Sequence, residues 1–115
     1  MAHMLLVEDD PDLRQLLKYV IEAAGHTADC VMTKQEAVYL LAPRSHELAI
    51  CNVILPDGSG RDVAISAMEV GIKTVLVSGN PDAMEAMSVA GISYLAKPFR
   101  LRDLTRLIED QLSSC

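Results

Sequence analysis

Five short apolar segments alternate with segments that carry helix signals, and this alternation limits the fold more than any other feature of the sequence. The segment at residues 4–7 is apolar throughout and stops at three acids, which is typical of a strand buried on both faces. Further strands are predicted at residues 27–31, where the pattern is weaker, and at residues 48–51, 72–77 and 92–96. Strands that alternate with helices across short loops form a parallel sheet with helices on both faces.

The first two helices have recognisable ends. Pro11 suits the first position of a helix, and Asp10 before it is the predicted N-cap. Thr33 and Glu36 have the spacing of a capping box for the second helix, which Pro43 stops. Three further helices are predicted at about residues 61–70, from 80 to 91, and over residues 101–112. The chain is thus predicted to be an α/β protein of five strands and five helices.

Size and charge exclude several classes of protein. A chain of 115 residues, half of them apolar, fits one compact domain that spans residues 1–115. The net charge of −6 argues against direct nucleic-acid binding, which needs clustered lysine and arginine. No apolar run approaches the roughly 20 residues that span a bilayer, and the N-terminus does not resemble a secretory signal. We therefore expect a cytoplasmic protein without a membrane partner.

Polar residues follow four of the predicted strands. Glu8 and Asp9 follow the first, and Asn52, Ser78 and Lys97 follow the third, fourth and fifth. Ligands of open parallel sheets bind outside the carboxyl ends of the strands, so we expect these five side chains in one crevice. Paired acids and an amide oxygen suit Mg²⁺, and a hydroxyl with an ammonium group suits phosphoryl oxygens.

Four blocks of sequence resemble the receiver domain of two-component response regulators, in the order and spacing of that family. They are LVEDD at residues 6–10, LPDGSG at 55–60, VSG at 77–79 and YLAKPF at 94–99. The resemblance extends from residue 4 to about residue 112. It implies a flavodoxin-like, doubly wound (βα)5 fold with sheet order 2-1-3-4-5, and a cis peptide bond between Lys97 and Pro98.

The resemblance also implies roles for single residues. Glu8 and Asp9 match the acidic pair that helps to hold Mg²⁺. Ser78 matches the hydroxyl residue that bonds the phosphoryl group on activation. Lys97 matches the lysine that pairs with phosphoryl oxygens, and Tyr94 matches the aromatic residue that changes rotamer with activation.

The position that matches the family's phosphoacceptor holds Asn52 instead of Asp. An Asp carboxylate is an anionic nucleophile that forms an acyl phosphate, whereas an amide is neutral and forms none. We therefore expect no phosphorylation at this residue. The amide oxygen of Asn52 can still be a metal ligand beside Glu8 and Asp9, with lower Mg²⁺ affinity because one negative charge is missing.

Three explanations of Asn52 are open. The chain is a natural pseudo-receiver that acts as a phosphorylation-independent protein interaction module, or it carries an engineered Asp-to-Asn change in an otherwise ordinary receiver. The third explanation, phosphorylation at Asp9 or Asp10, is disfavoured because those acids serve metal binding. A flavin-binding protein of the same fold is also disfavoured, because the three acids after the first strand would repel a flavin phosphate.

The resemblance implies partners as well. These are a sensor histidine kinase or a histidine phosphotransferase, and a downstream protein or a second copy that binds the face of the fourth helix, fifth strand and fifth helix. We expect no enzyme activity of the chain's own. A free-standing receiver and a piece of a longer regulator both fit the sequence.

Overall fold

The computed structural model of the chain describes residues 1–79 and 92–113. In chain order its elements are β1 His3–Val7, α1 Pro11–Ala23, β2 Thr27–Val31, α2 Lys34–Leu40, β3 Leu48–Asn52, β4 Ile54–Leu55, β5 Gly58–Ser59, α3 Gly60–Glu69, β6 Lys73–Ser78, β7 Ser93–Ala96 and α4 Leu101–Ser113. The helix predicted between residues 80 and 91 lies outside the described residues. No helix in the described parts of the chain is long and apolar enough to cross a membrane.

The five longer strands form one parallel sheet in the order β2-β1-β3-β6-β7. This is the predicted order 2-1-3-4-5, because β4 and β5 lie outside the sheet and pair only with each other. The flavodoxin-like α/β fold is therefore confirmed. All carboxyl ends of the sheet strands lie at one edge, where Val7 is level with Cys51 and Ser78 with Ala96.

Two apolar layers cover the sheet, one on each face, because both faces of its central strands are buried. In β1, Leu5 and Val7 belong to the layer that includes residues of α2 and α3. Met4 and Leu6 belong to the opposite layer, together with residues of α1 and α4. The core is aliphatic, which agrees with the absence of Trp and the single Phe in the sequence.

The predicted helix starts are largely confirmed. The Asp10 carboxylate accepts hydrogen bonds from the backbone N–H groups of Asp12 and Leu13, as an N-cap does. The Thr33 hydroxyl likewise accepts from the backbone N–H of Glu36. The Glu36 carboxylate, however, accepts from the backbone N–H of Met32 rather than completing the capping box at Thr33. The helix start is therefore as predicted, and the reciprocal bond is displaced by one residue.

The segment between β3 and α3 is a short hairpin formed by β4 and β5. Helix α3 then starts at Gly60, with Ser59 as its N-cap. A Cβ atom on Gly60 would lie 2.1 Å from the backbone oxygen of Asn52. Only glycine therefore allows the helix to start this close to the end of β3.

Candidate functional site

Three of the polar residues predicted to meet at the carboxyl edge of the sheet are in direct contact. The Lys97 Nζ atom lies 3.2 Å from Asn52 Oδ1 and 3.4 Å from Glu8 Oε1. The strands place these residues: Glu8 follows β1, Asn52 ends β3 and Lys97 follows β7. A single ammonium group therefore bridges an amide oxygen and a carboxylate.

Glu8 is the most buried charged group of this site, with 2% of its surface exposed. Burial raises the pKa of its carboxyl group, and the neighbouring Asp9 carboxyl raises it further. The backbone N–H of Asp10, at 3.3 Å, and the Lys97 ammonium act in the opposite direction and lower that pKa. Burial has the largest effect, so the folded protein favours the protonated form of this carboxyl group more than water does.

Both the oxygen and the nitrogen of the Asn52 side-chain amide form hydrogen bonds. Its oxygen accepts from Lys97, and its Nδ2 atom donates to the backbone oxygen of Ile54 at 2.8 Å. A carboxylate in the same rotamer would place an oxygen against the Ile54 oxygen, with no hydrogen between them. The backbone of the hairpin that follows β3 therefore favours an amide over a carboxylate at position 52.

The backbone holds Lys97 at the edge of the sheet. The peptide bond between Lys97 and Pro98 is cis, as predicted. The backbone N–H of Lys97 donates to the backbone oxygen of Ser78 at 2.8 Å, which continues the pairing of β7 with β6. Ser78 itself is buried at the end of β6. Its predicted contact with a phosphoryl group stays a prediction.

Asp9 and Tyr94 are the remaining predicted site residues. Asp9 is exposed, and Asp10 uses its carboxylate to cap α1. Tyr94 is half-buried on β7 and packs against the apolar layer that includes residues of α2 and α3. The rotamer change predicted for Tyr94 stays a prediction.

Two residues that hold the surroundings of the site in place were not predicted from the sequence. Arg14, one turn into α1, donates from its Nη1 atom to the backbone oxygen of Glu8 at 2.9 Å. Asp57, in the turn between β4 and β5, accepts from the backbone N–H groups of Lys34 and Gln35 at 2.7 and 3.0 Å. Those two N–H groups lower the pKa of Asp57. A P-D-G stretch indicates a turn, but nothing in it indicates that its acid will bind a helix start 22 residues earlier.

The chain is similar to known proteins over most of its length. The family model of the response regulator receiver domain matches residues 4–109. The response regulator receiver protein CpdR of Brucella abortus is 32% identical over 120 residues, covering 97% of this chain and 98% of that protein. The two-component response regulator PhoP of Pseudomonas aeruginosa is 31% identical over 106 residues, covering 88% of this chain and 47% of PhoP. The chain therefore spans about half the length of PhoP.

A solved structure supports the same assignment. The non-phosphorylated HemR receiver domain from Leptospira biflexa has a TM-score of 0.90 at 25% identity, covering 100% of this chain and 97% of that one. Family model, sequence relatives and fold thus agree over nearly the whole chain. The protein belongs to the response regulator receiver domain family of two-component systems.

Proposed function

We propose that Asn52 occupies the phosphoacceptor position of this receiver domain, and that the chain binds its partners without being phosphorylated there. The observation that carries this proposal is the contact of Lys97 with Asn52 at the carboxyl edge of the sheet. The Lys97 ammonium group contacts Asn52. We place Asn52 at the position where a receiver domain carries its phosphoryl group. An amide at that point cannot form the acyl phosphate.

The neighbouring acids are poor substitutes for the missing nucleophile. Asp10 is engaged with the first backbone N–H groups of α1, so a phosphoryl group there would disrupt the helix cap. Glu8 is buried and paired with Lys97. Asp9 is exposed, and we assign it to metal binding. The proposal therefore includes no alternative phosphorylation site among these acids.

Receiver domains generally bind Mg²⁺, and we propose that Glu8, Asp9 and Asn52 supply its protein ligands in this chain. Two carboxylates and an amide oxygen are the hard oxygen donors that this ion prefers. Bound there, Mg²⁺ would supply positive charge to the oxygens of a phosphoryl donor. Lys97 already occupies one oxygen of Glu8 and the oxygen of Asn52. Mg²⁺ must compete with that ammonium group, so its affinity should be low.

Receiver domains interact with histidine kinases or histidine phosphotransferases, and we propose a protein of this class as the partner. We place the contact with a downstream protein, or with a second copy, on the side of the sheet edge strand β7 and the C-terminal helix α4. We propose no enzyme activity for the chain, because the nucleophile of the receiver reaction is absent.

A binding experiment tests the independence from phosphorylation. The full chain is titrated against the histidine kinases and histidine phosphotransferases of the source organism, with and without a small phosphodonor and Mg²⁺. We expect at least one partner to bind with the same affinity in both conditions. An affinity that appears only after addition of the phosphodonor to the receiver would contradict the proposal.

A further inference from the structure

A second polar cluster lies at the opposite, amino edge of the sheet. His3 begins β1, Asp29 lies in the middle of β2, and His46 belongs to the loop that enters β3. The Asp29 Oδ2 atom lies 3.1 Å from His3 Nε2 and 2.9 Å from His46 Nε2. One carboxylate oxygen thus faces two imidazole nitrogens. The length of β1, five residues at about 3.3 Å each, separates this cluster from Glu8.

Backbone pairing fixes the three side chains. His3 is level with Thr27 in the sheet, and Asp29 lies two residues further along β2, on the same face. The backbone N–H of Glu47 donates to the backbone oxygen of His3 at 2.9 Å, which holds the loop residue His46 beside β1. The two imidazole rings stack with their centroids 5.1 Å apart. The cluster is therefore assembled by the fold itself from three separate parts of the chain.

We propose that His3, Asp29 and His46 bind a first-row transition-metal dication such as Zn²⁺. Two imidazole nitrogens and one carboxylate oxygen form a common protein ligand set for zinc, with a fourth position left for water or a partner. One ligand atom from each residue lies within 4.8 Å of the others. Ligand atoms around a tetrahedral zinc lie about 3.4 Å apart, so the two N···O distances need to lengthen by only a few tenths of an ångström.

Both imidazoles also have the outer partner that metal-binding histidines require. The Nδ1 atom of His3 lies 2.7 Å from the Thr27 hydroxyl, and that of His46 lies 2.8 Å from the Ser45 hydroxyl. A hydroxyl group both donates and accepts, so it can accept the Nδ1–H that each ring carries when Nε2 binds a metal. The second nitrogen of each ring is therefore satisfied in either tautomer.

The cluster is partly exposed, so a metal ion could reach it from the solvent. The side chain of His46 is 3% exposed, whereas those of His3 and Asp29 are 40% and 46% exposed. One ligand is thus fixed in the protein and two border the solvent. The oxygen donors proposed for Mg²⁺ lie at the other edge of the sheet and include no imidazole, so the two sites should differ in metal preference.

Titration with Zn²⁺ against a chromophoric chelator, in excess Mg²⁺, tests the proposal. All proteins carry Cys115→Ser, because a thiol is itself a zinc ligand. We expect one equivalent to bind, and binding to be lost in His3→Gln and in Asp29→Asn. The control variant His26→Gln changes the one histidine of the chain that is outside the cluster and should keep the site. Ser45→Ala should weaken binding by about tenfold to 100-fold, because it removes the outer partner of His46.

Nuclear magnetic resonance of the ring nitrogens gives a second readout on the unchanged fold. Zn²⁺ should shift the Nε2 resonances of His3 and His46 and leave those of His26 in place. Zn²⁺ binding that survives both His3→Gln and Asp29→Asn, or that is lost in Asp9→Asn instead, would overturn the proposal. The absence of one-to-one binding in the unchanged histidine cluster would also overturn it.

Discussion

At the scale of single residues, the carboxyl edge of the sheet is organised around the Lys97 ammonium. It pairs with a buried carboxyl group, that of Glu8, and donates a hydrogen bond to the uncharged amide of Asn52. An acid at position 52 would place two carboxylates around one ammonium. The amide removes that repulsion, and it also supplies the hydrogen bond to Ile54 that a carboxylate cannot make.

Replacement of Asn52 by Asp should therefore destabilise the chain when no metal is present. The new carboxylate oxygen would face the Ile54 oxygen and lie close to Glu8, and we expect a loss of about 1 to 2 kcal/mol in the free energy of unfolding. Mg²⁺ should restore most of that loss in Asn52→Asp and change the unaltered chain little. Urea denaturation with and without Mg²⁺ measures both effects. An equal response of the two proteins to Mg²⁺ would contradict this account of the edge.

Glu8 should make the stability of the fold depend on pH in a defined direction. Its pKa is raised in the folded state, so the protonated carboxyl group is favoured there. This contribution to stability is complete below the pKa of the unfolded chain and is lost as the pH rises through the folded pKa. Glu8→Gln should therefore raise stability at neutral pH and remove this part of the pH dependence.

Thermal unfolding of Glu8→Gln between pH 4 and pH 7 checks this prediction on either side of the ordinary glutamate pKa, about 4.3. The exposed neighbour provides the control, because Asp9→Asn should change the unfolding temperature less. A Glu8→Gln protein that unfolds at a lower temperature than the unaltered chain at pH 7 would show that the bond with Lys97 outweighs burial.

At the scale of elements, the junction between β3 and α3 is held by close backbone contacts. The hairpin of β4 and β5 brings the start of α3 back against the end of β3, where the backbone N–H of Gly60 donates to the Val53 oxygen at 2.7 Å. Asp57 of the same hairpin binds the start of α2. The site residue Asn52 is therefore fixed by contacts that come from both sides of the hairpin.

Gly60→Ala should disturb this junction strongly. The added Cβ atom would lie 2.1 Å from the Asn52 backbone oxygen, which cannot move without disrupting β3. We expect a loss of about 3 kcal/mol in the free energy of unfolding, at the upper end of the cost of overpacking. Gly79→Ala is the matched control, since among residues 1–79 and 92–113 its Cβ atom would meet only the Lys97 Cβ, at 3.8 Å. Chemical denaturation compares the two variants, and similar losses in both would show that the close approach at Gly60 is not the cause.

The sequence predicts these elements unequally. The sheet strands are predicted well, because most of them are apolar runs bounded by turn residues or acids, and the resemblance to receiver domains implies their order. The hairpin is not predicted, because strands of two residues show no periodicity and their pairing arises from the approach of α3 to β3. The contact of Asp57 with α2 is missed for a related reason, since it joins segments that are adjacent only in the fold.

At the scale of the whole molecule, the parallel sheet brings polar side chains together at both its carboxyl edge and its amino edge. Residues that follow strands meet at the carboxyl edge, so Glu8, Asn52 and Lys97 could be predicted together from their positions. No comparable sequence rule predicts which residues meet at the amino edge. His3, Asp29 and His46 belong to a strand start, a strand middle and a loop, and only the folded register brings them together.

We propose above all that the chain is a receiver domain with no phosphoacceptor at position 52. Intact mass spectrometry after incubation with a small phosphodonor and Mg²⁺ tests it most directly, with Asn52→Asp as the paired protein. We predict no added phosphoryl group on the unaltered chain and one on Asn52→Asp, because Glu8, Asp9 and Lys97 are still in place around the restored carboxylate. A phosphoryl group on the unaltered chain would contradict the account.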